Sequence, residues 1–316
     1  MSRQTRAASV SVLSNTGLLI LKTTVGVLTG SVGVLSAAAD SLNDLAASII
    51  AFFSVRASGQ PADTEHPFGH GKIENVSSAA QALLIFGAAL YIIAEAINRI
   101  LVPQPIKAPQ WGMIVMAITA AVDLGVSRYL LRVARETDSS AIRADAYHLT
   151  TDVWTASGVF AALGLVYATG IRLFDPIVAL IVAAVIIRVA VTLTMEAAGV
   201  LIDSRLPENE VRQLEEIVMK TSGVVGFHKL RARKSGPYRQ IDYHLIVPGK
   251  MPVAQAHALT ETVESTVRER FPNTTIVTHI EPDSTFETHE PDTELHRTQR
   301  TRRPHRFHRP PGHRHA

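Results

Sequence analysis

The chain has 316 residues, of which 47% are hydrophobic and only 19% charged, with no cysteine and a formal net charge of +3. The charged share lies below the ~25% of ordinary domains, which excludes a simple soluble enzyme. The absence of cysteine excludes a disulfide-built secreted domain and any thiolate metal site, and so small a net charge gives no sign of a nucleic-acid partner. No cleavable signal peptide is expected: Arg3 and Arg6 stand at the start, but no small-residue cleavage site follows the first apolar run.

In chain order, six membrane helices are expected at roughly 9–29, 33–55, 76–100, 110–133, 145–170 and 174–197. Two stretches, Val76–Ala94 and Val153–Ile171, each run 19 residues without a charge. Gly26, Gly30 and Gly33 mark a very short first link. Pro103, Pro105 and Pro109 punctuate the third, and Gly170 and Pro176 flank the fifth. An even number of spans places both termini on one side. That side carries Arg3, Arg6, Arg56, Lys72, Arg128, Arg132, Arg135 and Arg143, against Arg99, Lys107 and Arg172 opposite. The excess predicts that both termini are cytoplasmic.

Residues 204–284 read as a small cytoplasmic domain of order α-β-β-α-β. Its elements are helix 208–221, strands 225–233 and 240–247 joined through Ser235-Gly236-Pro237, helix 253–271 and strand 275–280. Two layers, with the helices on one face of the sheet, follow from that order. Residues 285–316, rich in His and Arg, have too few apolar side chains to build a core and are expected to be disordered. Domain boundaries are thus set at 1–203, 204–284 and 285–316.

The thirteen histidines carry most of the chemical information. His148 and Asp152 share one helix face at i,i+4 spacing, and so do Asp40 and Asp44 on the second helix. A carboxylate inside a bilayer costs several kcal/mol unless compensated. Three carboxylates and one imidazole compensate each other best around a divalent cation, and four N/O ligands suit zinc. Iron, manganese, cobalt and cadmium use similar ligands. The plainer alternative is that Asp40 and Asp44 cap or pair locally with Lys22 or Arg143.

The loop Asp63-x-x-His66-Pro67-Phe68-Gly69-His70-Gly71-Lys72-x-Glu74 offers Asp63, His66 and His70 as a second set of ligands, or else is a polar turn with solvated histidines. In the soluble domain His228, His244 and His279 lie on the three strands, Glu281 two residues beyond His279, and His257 on the intervening helix. Read together they form a candidate regulatory metal site. The tail histidines His289, His296, His305, His308, His313 and His315 suggest weak buffering or surface electrostatics at most. Lys22 and Arg188 suit snorkelling or pairing inside the bundle. Asp123 has no assigned role.

Asp40-x-x-x-Asp44, His148-x-x-x-Asp152, the loop His66-Pro-Phe-Gly-His70-Gly-Lys72-x-Glu74 and the sixth-helix start Asp175-Pro176-Ile-Val-Ala together resemble the cation diffusion facilitator family of metal/proton antiporters. The resemblance covers about residues 8–284 and is nearest to the bacterial zinc/iron branch. It implies a homodimer in the inner (plasma) membrane with a ferredoxin- or metallochaperone-like cytoplasmic domain. It implies a divalent-metal efflux transporter, not an enzyme, that exchanges zinc, iron, cobalt or cadmium for protons by alternating access. Carried over residue by residue, Asp40, Asp44, His148 and Asp152 match the transport ligands, and Asp63, His66 and His70 the loop site. His228, His244, His279 and Glu281 match the cytoplasmic site, with His257 bridging. Where Glu281 stands the family more often has Asp. Lys72 and Asp203 match a salt bridge that helps hold the dimer.

Two other readings compete. One is a membrane metal sensor that binds without transporting. The other is an aspartate-rich membrane-bound transferase, though such enzymes need a fuller aspartate motif; H-E-x-x-H, the mark of a metalloprotease, is absent.

Overall fold

A computed structural model of the chain describes residues 1–29, 32–101, 110–171 and 173–284. Expectations falling on Gly30, on the link containing Pro103, Pro105, Lys107 and Pro109, on Arg172, and on the tail from 285 with its six histidines lie outside these residues. The described chain divides into two compact units: Met1–Ser204 with Lys234–Tyr238, and Arg205–Arg233 with the chain from Arg239 onward.

The first unit is built from six long helices: α1 (Arg3–Thr29), α2 (Val32–Ser58), α3 (Ile73–Leu101), α4 (Gln110–Thr137), α5 (Ser140–Thr169) and α6 (Phe174–Leu201). All six are long and apolar enough to cross a bilayer. Most extend beyond the spans expected from hydropathy. The apolar core fixes where a span lies, whereas its ends are set by caps and turns. Asp138, in the left-handed region at φ 54°, ends α4. Ser139 then caps α5, its side chain accepting from the Ile142 N–H at 3.3 Å. Gly170, at φ 73°, closes α5 with its N–H donating to the Val166 carbonyl at 2.8 Å.

The bundle turns small and polar residues inward and large apolar ones outward. Ala7 and Ala8 of α1, Leu130 and Val133 of α4, and Ala141, Ile142 and Ala146 of α5 share one buried cluster. Ala82, Ile85 and Ala89 of α3 meet Ile186, Ala190 and Leu193 of α6 in another. Phe53, Leu83, Tyr91, Trp154, Ile181 and Met195 face outward, as they do when the surroundings are hydrocarbon. Gly158 lets α5 approach α6: a Cβ there would stand 2.6 Å from the Val182 Cγ2.

Fully buried Glu74 ties three helix ends together. Its Oε1 accepts from Ser58 at the end of α2 (2.9 Å). Its Oε2 accepts from the Ser139 hydroxyl (2.6 Å) and the Ala141 N–H (3.4 Å) at the start of α5. A carboxylate at a helix N-terminus also complements the macrodipole.

The second unit contains α7 (Glu208–Lys220), β1 (Gly226–Ser235), β2 (Tyr238–Val247), α8 (Val253–Arg270) and β3 (Thr274–Pro282). The sheet order is β1-β2-β3, with β3 parallel to β2 and His244 opposite His279. Leu214 and Val218 of α7 and Val263 and Val267 of α8 pack on Tyr243 and Leu245 of β2. Both helices therefore cover one sheet face and leave the other to the histidines. This is the expected α+β domain beside six apolar helices.

Lys229 breaks the strand alternation. Its φ of 52° is left-handed, so Phe227 and Leu230 both pack on the core, and His228 turns to the opposite face. Holding a lysine there costs roughly 1 kcal/mol.

Glu74→Ala should lower stability by about 2 kcal/mol, because it strands the Ser58 and Ser139 donors. Glu74→Gln should lose less. Thermal unfolding in detergent measures both. Lys229→Ile should destabilise the soluble unit, whereas Lys229→Gly should leave it intact or firmer, as read by hydrogen exchange across β1.

Candidate metal centres

Among the described residues, three groups of His, Asp and Glu side chains converge, each with candidate ligand atoms within 4.8 Å of one another: Asp44, His148 and Asp152; Asp63, His66 and His70; and His228, His244 and Glu281.

The first lies inside the helix bundle. α2 supplies Asp44, and α5 supplies His148 and Asp152 from one face. The His148 Nε2 stands 3.3 Å from the Asp44 Oδ1. Among the described residues, the His148 Nδ1 and the Asp152 Oδ2 are buried without a hydrogen-bond partner. Buried polar atoms are rarely left so, and a cation is what two carboxylates and an imidazole would share.

Asp40 is not brought into this group and is exposed on α2. It lies one turn before Asp44 on the same helix face, about 6 Å along the axis. Lys22 lies in electrostatic reach of Asp40 while its Nζ donates to the Ser41 hydroxyl at 2.6 Å, and the Arg143 guanidinium meets Glu196 at 2.6 Å.

A hydrogen-bonded polar network braces Asp44, and spacing alone did not reveal it. The Asn15 Nδ2 donates to the Asp44 carbonyl (3.2 Å) and to the Ser48 hydroxyl (2.6 Å). Ser48 lies 2.9 Å from Ser11 and donates to the fully buried Asp145 (3.2 Å). The available signal was Asp145's place on the His148–Asp152 stripe. Asp123 of α4 is also buried, with its Oδ1 unpartnered among the described residues and with Lys22, Asp44 and His148 in electrostatic reach.

In the loop, the Asp63 carboxylate bridges both imidazoles, at 3.3 Å to the His66 Nδ1 and 3.3 Å to the His70 Nε2. It also accepts the His66 (2.6 Å) and Glu65 (3.0 Å) backbone N–H groups. The His66 amide first, and then these other donors and the imidazoles, hold its carboxyl below the usual value. Gly69, at φ 80°, lets the chain reverse and bring the rings to 4.5 Å between centroids.

On the sheet, the carboxylate of Glu281 bridges the His228 Nε2 (2.9 Å) and the His244 Nδ1 (2.7 Å). Burial pushes the Glu281 carboxyl up, but the hydrogen bonds to His244 and His228 outweigh it and hold it below the usual value. Burial lowers the imidazole of His228, with Glu281 opposing. Both shifts favour the forms that bind metal. His279 stacks against His244, 4.5 Å between centroids, but its side chain is 63% exposed and it lies outside the group. His257 lies outside too. On α8 it follows Ala256, which faces the sheet, and so points to the exposed side.

Lys72 and Asp203 pair within the chain at 2.7 Å, and the Lys72 Nζ also donates to the Leu201 carbonyl at 3.4 Å.

Zinc added to the purified full chain should bind at the sheet cluster with His228 neutral and Glu281 ionised. Its affinity there should therefore fall as pH drops below His228's lowered titration range, itself under the ordinary ~6.5. Glu281→Ala should remove one bound zinc per chain without removing the others, as counted by equilibrium dialysis across pH.

Residues 8–202 match the cation efflux transmembrane domain, and residues 206–283 match the cation efflux protein cytoplasmic domain. The cation-efflux pump FieF of Cronobacter sakazakii is 38% identical over 279 residues, 88% of this chain and 93% of that protein. FieF of Pectobacterium atrosepticum is 38% identical over 256 residues, covering 81% and 85%. FieF of Salmonella schwarzengrund is 37% identical over 283 residues, covering 90% and 94%.

Proposed function

The chain belongs to the cation diffusion facilitator family of multi-pass cation-efflux membrane proteins, and we propose that it exports zinc, or a divalent ion of similar preference, in exchange for protons. The observation that carries this reading is the group Asp44, His148 and Asp152, a buried imidazole and two half-buried carboxylates from two helices, with unpartnered atoms on His148 and Asp152. Asp40, one turn away on α2, joins as the fourth ligand when the ion binds. An N/O set without sulfur accommodates zinc, iron, cobalt and cadmium alike.

Binding requires a neutral imidazole and ionised carboxylates, so each ion that enters displaces protons, and protons returning from the far side release it. The site opens alternately to the two sides. The protein sits in the inner membrane with both termini cytoplasmic, as the Lys and Arg distribution supports. It works as a homodimer, with Lys72 and Asp203 bracing the ends of the spans near the membrane surface. His228, His244 and Glu281, with His279 joining when metal is abundant, bind regulatory ions. Asp63, His66 and His70 hold a further ion in the loop. The transferase reading gains no support, since the carboxylates pair with an imidazole rather than forming an aspartate-rich surface for diphosphate.

In everted vesicles with an acidic interior, the wild-type chain should accumulate zinc, and collapsing the gradient should stop it. Asp44→Ala or Asp152→Ala should abolish accumulation, Asp40→Asn should reduce it, and His244→Ala should change only its dependence on zinc concentration. Saturable zinc binding with no proton-linked flux would establish a sensor instead.

A further inference from the structure

A cavity of ≈ 150 Å³ lies between α3, α5 and α6. It has room for several water molecules. Its α5 wall includes Thr155, Val159 and Ala162. With Asp152 these residues fall at i, i+3, i+7 and i+10, a single stripe of the helix. The cavity therefore begins one turn beyond Asp152 and follows the same face of α5 toward the end opposite the termini.

At its other wall stand Glu95 and Arg99 of α3 and Asp175 of α6. The Arg99 Nε donates to Glu95 at 2.9 Å, and an Arg99 NH group donates to the Asp175 Oδ2 at 2.9 Å. One guanidinium thus spans two carboxylates on two helices. The Asp175 side chain is only 15% exposed, whereas that of Arg99 is 49% exposed and can swing to solvent. Two carboxylates facing one cation carry net negative charge, and in a partly water-excluded space that charge attracts a second cation strongly. None of the three residues belongs to the groups described above.

We propose that this cavity is the release vestibule for the exported ion, and that Glu95 and Asp175 form a transient divalent-cation subsite whose resident occupant is Arg99. The inference rests on the transport reading given above. An ion leaving Asp152 enters the stripe, exchanges with Arg99 for the two carboxylates and passes to the outer face. Arg99 then returns and closes the negative site to back-binding. A guanidinium cannot lose its charge under these conditions, so the exchange responds to ion occupancy rather than to pH.

The chain's lack of cysteine makes the test clean. Val159→Cys, reconstituted in vesicles, should react with a membrane-impermeant charged maleimide applied at the face opposite the termini. Labelling should block zinc flux, and zinc should slow the labelling. The double variant Glu95→Gln/Asp175→Asn should lose flux severalfold while keeping wild-type equilibrium zinc binding, which also shows that it folds. Arg99→Gln should lower net flux and allow zinc added at the outer face to inhibit it at lower concentration than in the wild type. A Val159→Cys variant that transports zinc but does not react with the maleimide, or wild-type flux in the double variant, would overturn the inference. Wild-type flux in the same vesicles separates either result from failure of the transport reading.

Discussion

A carboxylate buried among apolar helices must be compensated or it unfolds its own site, and this constraint organises the first unit. Asp44 and Asp152 converge on His148, whose imidazole offsets part of the cost of each carboxylate, while the two carboxylates repel one another. Asn15, Ser48 and Asp145 are hydrogen-bonded behind them and fix the α2 backbone at Asp44. Glu74 meets the same constraint differently: buried outright, it is satisfied by three donors and serves to anchor α5. Glu74 has both carboxylate oxygens satisfied, whereas Asp123, Asp145 and Asp152 each keep one buried oxygen unpartnered among the described residues.

The same logic is visible at lower cost outside the spans. Asp63 and Glu281 each bridge two imidazoles with one carboxylate. In both, the local backbone is bent to achieve it, by Gly69 in the loop and by Lys229 on β1. The loop cluster is more exposed than the group inside the bundle.

Much of this was legible in the sequence. Charge-free runs locate the six helices because hydrocarbon length sets a minimum for apolar content. The α4–α5 boundary was not legible, since α4 runs on through Arg135 and Glu136 to Asp138 and α5 starts at Ser140, ahead of Arg143, whereas the close of α5 at Gly170 was. Both i,i+4 pairs were read from spacing alone; the structure brings His148 and Asp152 together with Asp44 and leaves Asp40 outside that group. His257 was grouped with the strand histidines by composition, although one position of helical rotation carries it from the sheet side to the exposed side. Asp145 and Asn15 went unassigned because a polar residue in a span reads as a ligand or as nothing, whereas here they join, through Ser48, the hydrogen bonds behind Asp44.

The central claim is that Asp44, His148 and Asp152 jointly hold the exported ion. Anomalous scattering from zinc-loaded full-length protein tests it most directly. The account predicts a peak between α2 and α5, about 2.0–2.2 Å from carboxylate oxygens of Asp44 and Asp152 and from a ring nitrogen of His148. Zinc peaks confined to the loop and sheet clusters, in a protein that still transports, would contradict it.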